Sequence, residues 1–425
     1  MRILNTIVCL LFSILTFAQT EVLYRVLVLN EGRYDFQTYE IITPVTIGSY
    51  SPITKEYSYV STVENARFAS DIKIANNAYY VAADKFLLKY DLLTNELLAQ
   101  QTLPGIRKIA VSEDKVIATR GEYLTNYDSY VQVYDANTLA PLYQFEISSG
   151  IDVASEGVIV KDNKAYIAIN NGFDFGNEVG KIAVLDLENY QVENIYDLGV
   201  DGKNPENLMI KDNVIYTLNN KNFTGSSISS FDINTGNIIT TNLANVSYGC
   251  GTSVLYENTI KYQELGSSII NTFDLATNTT IGGNDFTQPV YGIAIEPISK
   301  NIYGSRTDFL TYGKGYIFQP DGIVIDSFNT GISPGYFAFD VRASVSTFTP
   351  DVLKATIYPN PTNGALAILS DELIKNVQIK DILGNVLLQT DTTLQLNVSL
   401  LPKGMYYAQI TSVNNKKSIQ KIIIQ

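Results

Sequence analysis

Hydrophobic and polar positions fall into a unit that recurs along most of the chain. Its clearest copy runs from Ser155 to Gly199. It reads Glu156-Gly-Val-Ile-Val-Lys-Asp-Asn, Lys164-Ala-Tyr-Ile-Ala-Ile-Asn, Gly180-Lys-Ile-Ala-Val-Leu-Asp-Leu-Glu and Gln191-Val-Glu-Asn-Ile-Tyr-Asp-Leu-Gly. Each run is rich in Val, Ile, Tyr and Ala, partly alternates with polar residues and ends in Asn, Asp or Gly. That is the pattern of a short strand bounded by turns. Four such strands in about 45 residues make one up-and-down sheet that is too small to bury its own faces and needs neighbours of its own kind.

Two markers count the copies between Glu21 and about Arg342. The turn after the third strand recurs at Tyr50-Ser51, Tyr90-Asp91, Tyr134-Asp135, Leu185-Asp186, Phe231-Asp232, Phe273-Asp274 and Pro320-Asp321, at spacings of 40 to 51 residues. The apolar run that opens each unit recurs at Ile72, Ile109, Val158, Leu208, Val254, Ile293 and Phe337. Both markers give seven. They are out of phase at the ends: Tyr24 to Gly32 reads as a second strand, and the missing first strand appears last, at Tyr336-Phe-Ala-Phe-Asp340. Pairing the last strand beside the first closes the sheets into a ring without an open edge. The expected fold is therefore all-β, a seven-bladed β-propeller closed by its terminal strands. Immunoglobulin-like repeats need about 100 residues per copy, and solenoid coils need about half of the spacing seen. The repeated Asp-x-x-Thr/Asn segments, such as Asp135 to Thr138 and Asp232 to Gly236, read as Asx-turns between strands and not as repeated metal ligands.

The ends of the chain change the picture. Residues 1–18 carry Arg2, an apolar run from Ile7 to Phe17 and Thr16-Phe17-Ala18 before Gln19, which reads as a secretory signal peptide cleaved between Ala18 and Gln19. The propeller is expected over 19–346 and a linker over 347–354. Residues 355–425 form a small β-sandwich of alternating strands and Gly turns.

Composition narrows the chemistry. The formal charge is −13, so nucleic acid is an unsuitable partner. The chain has no His, which excludes an imidazole base, a His-ligated metal and a Ser-His-Asp triad. Cys9 lies in the leader, leaving only Cys250 and no internal disulfide. With no Trp, the blades must pack with aliphatic residues and Tyr.

The order Tyr358-Pro359-Asn360-Pro361, Gly364, Asp381-x-x-Gly384, Leu401-x-x-Gly404-x-Tyr406 and a Lys-containing last strand resembles the type A C-terminal sorting domain of the Bacteroidetes type IX secretion system. That resemblance implies passage through the periplasm and across the outer membrane, then surface attachment or release, with the type IX secretion machinery as partner. The propeller is similar to YncE-like and surface-layer seven-bladed propellers, in particular to a Bacteroidetes outer-surface group with an N-terminal Asn-Glu-Gly motif, here Asn30-Glu31-Gly32. Some relatives capture cobalamin beside a TonB-dependent transporter, which makes such a transporter a candidate partner. No residue pattern here carries that ligand over.

The loops between second and third strands and those leading into each first strand share one face around the central channel. Unusual residues collect there: Arg67-Phe68, Arg107-Lys108, Asn204 to Asn207, Tyr248, Tyr291 and Tyr336 on the leading loops, and long aromatic segments on the others. The expected ligand contacts are Glu31, Arg33, Tyr34, Arg120, Tyr123, Asn170, Phe173, Asn219, Arg306 and Asp308. Aromatic rings would stack while Arg and Asn form hydrogen bonds, as suits a small molecule, a glycan or a peptide. The leading expectation is non-catalytic capture without a cofactor. One alternative is a surface protein-interaction or adhesion propeller. The other is a Ca²⁺-dependent lactonase- or lyase-like enzyme using Glu31, Asp174, Glu206 and Asp308.

Overall fold

The computed structural model describes residues 20–221, 224–247, 252–344, 353–391, 394–414 and 416–425. The signal peptide with its Ala18–Gln19 junction, Phe223, Tyr248, Cys250 and most of the 347–354 linker lie outside the described residues. The chain divides into two compact units, one of residues 20–343 and one holding the residues from 344 onward.

Among the described residues the first unit contains seven four-stranded sheets. Six are consecutive meanders, whose first strands are Asp71–Ala75, Ile106–Val111, Ser155–Lys161, Pro205–Lys211, Ser253–Tyr256 and Ile293–Ile295. The seventh joins the two ends of the unit: Pro334–Ser344 pairs beside Thr20–Asn30, followed by Val45–Tyr50 and Tyr57–Val63. The propeller is thus closed by its terminal strands, as the phase of the repeats requires.

Burial explains the residue pattern. The second strand Ala78–Ala83 is buried throughout, whereas the outer strand Leu97–Thr102 of the same blade is mostly exposed. A middle strand is covered on both faces by adjacent blades, so it reads as a continuous apolar run. One core cluster joins Leu27 and Ile47 of the first blade to Tyr79, Val81 and Leu88 of the next. Tyr and Phe fill the space between and within blades: Tyr50 stacks on Phe328 at 4.0 Å between centroids, and Tyr79 on Tyr90 at 4.9 Å.

The repeated aspartates cap turns. Asp91, Asp135, Asp186, Asp232 and Asp274 each accept, through Oδ1, the backbone N–H groups two and three residues on. These hydrogen bonds hold each exposed carboxyl below its ordinary pKa.

Two clasps hold the ring shut. On the loop-rich side, Glu31 and Gly32 donate backbone N–H to Ser333 and Ile332 carbonyls, and Asn30 Oδ1 accepts the Gly331 N–H at 2.9 Å. Further along the strands, Asp340 is 1 % exposed and accepts from Arg25 Nε at 3.1 Å and Arg342 Nε at 2.9 Å. Arg25 also donates to Asn95 and to the Leu92 carbonyl, tying the second blade to the closure.

The second unit is a sandwich of two sheets. Ala355–Tyr358, Ala365–Ser370 and Gln395–Asn397 form one; Val386–Asp391, Ile374–Lys380, Gly404–Ser412 and Lys417–Ile424 form the other. A single apolar cluster, including Ile357, Leu366, Val377, Ile379, Ala408 and Ile422, lies between them. The motif residues hold its turns. Asn360 donates to the Lys421 carbonyl and accepts the Ile423 N–H, taking the place of a strand residue beside the last strand. The prolyl bonds of Pro359 and Pro361 are cis. Asp381 accepts the Leu383 and Asn385 N–H groups around Gly384, whose φ of 89° is left-handed. Tyr406 is buried and donates its hydroxyl to the Pro402 carbonyl at 2.7 Å, and Gly364 packs against Ser399.

Candidate functional site

The seven first strands enclose a central channel of about 860 Å³. Their opening residues and the loops beside them give its mouth charge and aromatic rings, including Glu31, Phe68, Arg107, Lys108, Glu156, Phe173, Tyr291 and Tyr336. Later residues on the same strands, such as Ile74, Val160, Ile210 and Ile295, make its aliphatic walls. A propeller runs all its first strands in one direction, so the order of residues along each strand becomes depth in the channel.

Glu31 sits where the ring closes. Its Oε1 accepts the Tyr291 hydroxyl at 2.7 Å and lies over Gly335, where a Cβ would come within 2.3 Å of it. A side chain there would push the Glu31 carboxyl aside. Burial raises the Glu31 pKa from 4.5 to about 7, against the Tyr291 hydrogen bond and the positive charges of Lys108 and Arg107, which lower it.

Arg107 makes a two-pronged ion pair with Glu156, both contacts 2.9 Å, and its guanidinium lies 5.0 Å from the Phe173 ring centre. Lys108 Nζ donates to the Ser70 carbonyl at 2.7 Å and the Tyr336 hydroxyl at 3.1 Å, and sits 4.2 Å from the centre of that ring. The mouth therefore offers flat apolar surfaces beside fixed charges, a combination that orients a bound molecule.

The expected contact residues separate into two groups. Glu31, Asn170 and Phe173 line the channel. Tyr34 lies on a hairpin, Arg33–Asp35 with Glu40–Thr43, and lines a smaller cavity of about 330 Å³ with Tyr39, Arg67, Asp84 and Glu122. Arg33 is partly buried on that hairpin, outside both cavities. Tyr123 is exposed and its ring meets Phe175 at 6.0 Å.

The others are engaged in holding the fold. Arg120 is 6 % exposed; it donates to the Pro104 and Ser129 carbonyls and stacks 3.8 Å from the Tyr127 ring centre, so its guanidinium does not face the channel. Arg306 donates to the Phe286 carbonyl and packs on Tyr316. Asn219 is fully buried within its blade, donating to Ser227 and Ser229. Asp308 caps its own loop through the Leu310 and Thr311 N–H groups, which lower its carboxyl to about 2. Asp174 accepts the Asn177 side-chain amide at 3.0 Å within its own loop. Among the described residues no group of three or more Asp, Glu or Cys is arranged to hold a metal, and no helix is long and apolar enough to cross a membrane.

Sequence reasoning placed Arg107, Lys108, Tyr291 and Tyr336 on the right face but outside the contact set, and missed Glu156. Their common signal is position. All stand within the first three residues of a first strand or just before it, where side chains face the channel whatever the loop length.

Residues 356–425 match the secretion system C-terminal sorting domain. This type IX sorting domain directs the chain out of the cell, to be attached to or released at the outer surface. The sorting domain covers the sandwich only, and no curated protein matches the chain. Among solved structures, the dihydro-heme d1 dehydrogenase NirN in complex with DHE is similar at a TM-score of 0.51 and 11% identity, over 89% of this chain and 76% of that one. BamB from Moraxella catarrhalis aligns at a TM-score of 0.45 and 14% identity, over 83% of this chain and 97% of that chain. A nidogen/laminin complex aligns at 0.42 and 11%, over 61% and 92%. At such identities the NirN likeness concerns the fold alone.

Proposed function

We propose that the protein is a cell-surface or secreted capture propeller, which binds a small molecule or glycan at the mouth of its central channel without transforming it. The observation that carries this reading is the channel itself. Its volume lies within the usual range for ligand sites of about 300–1,000 Å³, and its mouth sets Phe68, Phe173, Tyr291 and Tyr336 among Glu31, Arg107, Lys108 and Glu156. The same face carries exposed aromatic residues on its long loops, Phe36, Tyr39, Tyr123 and Phe175, which favour a protein partner as a second reading. Ligand size separates the two, since only the first fills the channel.

The test is a thermal-shift screen of the mature chain against corrinoids, haem, glycans, peptidoglycan fragments and Ca²⁺. A specific ligand at 100 times its dissociation constant adds about 2.7 kcal/mol of stability. Capture predicts a hit that Phe173→Ala weakens. A blank screen, with Ca²⁺ also silent, moves the function to a protein partner on the exposed aromatic loops.

A further inference from the structure

The cations of the channel mouth are not equivalent. Arg107 is neutralised by Glu156 through two hydrogen bonds. Lys108, its neighbour, meets only neutral oxygens: Nζ donates to the Ser70 carbonyl and the Tyr336 hydroxyl. An ammonium has three N–H donors, so one remains. Among the described residues no carboxylate lies within 4.0 Å of Lys108 Nζ. The nearby acid, Glu31, turns its Oε1 to the Tyr291 hydroxyl instead, and burial keeps it largely protonated up to about pH 7. A partly buried cation without a counter-charge is costly unless something anionic completes it. Beyond the mouth the channel offers aliphatic walls, with Val158, Leu208, Val254 and Ile293 among them, and a volume too large for a single alkyl chain.

We propose that the channel takes an organic anion with a rigid apolar body, its carboxylate closing on Lys108 Nζ and its body lying between the aromatic rings of the mouth and the aliphatic walls beneath. This rests on the capture reading and names its ligand class. A steroidal acid and a porphyrin dicarboxylate share that chemistry and differ in the shape of the body.

The test is calorimetric titration of the mature chain with deoxycholate, below its micellar range, and with mesoporphyrin, each beside its neutral carboxamide. One acid binds, and its amide binds roughly tenfold to a hundredfold more weakly, the value of one charge-assisted hydrogen bond. The acid that binds identifies the body. Lys108→Met abolishes the preference for acid over amide, while Lys108→Arg retains it. Equal binding of acid and amide, a preference that survives in K108M, or no binding by either acid overturns the proposal. If a compound from the stability screen still binds and still depends on Phe173, capture stands and only the ligand class falls. If nothing binds in either assay, both fall together.

Discussion

Removing the Asp340 carboxylate should open the ring at a cost set by burial. Asp340 is 1 % exposed and faces two guanidinium groups: Arg25, whose side chain is 9 % exposed, and Arg342, at 28 %. In Asp340→Ala the Arg342 side chain can swing into solvent, but Arg25 is held by Asn95 and the Leu92 carbonyl and stays buried without a counter-charge. Breaking a buried pair in this way costs about 3–5 kcal/mol. The Lys164–Glu193 pair is shorter, at 2.6 Å, but both side chains are over a third exposed, and an exposed pair contributes about 0–1 kcal/mol. Urea denaturation of D340A and E193A, followed by circular dichroism, compares the two. We expect D340A to lower the midpoint of the propeller transition several times more than E193A and to sensitise the chain to proteolysis near Thr20. Equal effects, or a D340A loss below about 1 kcal/mol, would refute the view that this clasp closes the ring.

Three further outcomes follow. Because burial raises Glu31 from 4.5 to about 7, its contribution to stability is fully present below pH 4.5 and lost as pH rises through 7. The wild type should therefore lose about 3 kcal/mol relative to Glu31→Gln between those limits, and parallel pH–stability curves for the two proteins would count against it. The groups facing this carboxyl, Tyr291, Lys108 and Arg107, are unchanged in that comparison. Arg120→Ala should lower stability by about 2 kcal/mol, because the buried Ser129 carbonyl loses a charged donor and the Pro104 carbonyl a second one, while leaving ligand affinity as it was; reduced affinity at unchanged melting temperature would return Arg120 to the binding site. Deleting residues 356–425 should keep the propeller inside the outer membrane, and surface labelling of intact cells that still finds the truncated protein would remove the sorting role.

The fold was legible because its causes are local and repeated. Each middle strand is covered on both faces, which imposes an apolar run such as Ala78–Ala83, and each Asx-turn requires an Asp at one place, so a single period carries both. Closure was legible from phase alone, since a second strand without a first can be completed only from the far end of the unit. The site was less legible. Arg120 and Arg306 look like loop cations in sequence, but their acceptors are backbone carbonyls, Pro104 and Ser129 for one and Phe286 for the other, and carbonyls leave no trace in residue identity. Asn219 reads as a turn residue and is instead the buried end of a strand.

The Asn30-Glu31-Gly32 segment shows why site and closure belong together. Asn30 fastens the first blade to Gly331, the Glu31 and Gly32 amides fasten to Ser333 and Ile332, and the Glu31 side chain crosses Gly335 to face the channel. Its hydrogen-bond partner, Tyr291, comes from the blade on the far side of the seam. The seam between first and last blades is thus part of the channel wall. A ligand that contacts Glu31 or Tyr291 binds only the closed ring, and by mass action it must stabilise closure by an amount that grows with the ratio of its concentration to its dissociation constant. Saturating ligand should therefore raise the midpoint of D340A by a larger increment than that of E193A, whose substitution is remote from the seam. An increment common to both variants would mean that closure is complete before the ligand arrives; a larger one in D340A would mean that the ligand itself helps to shut the ring.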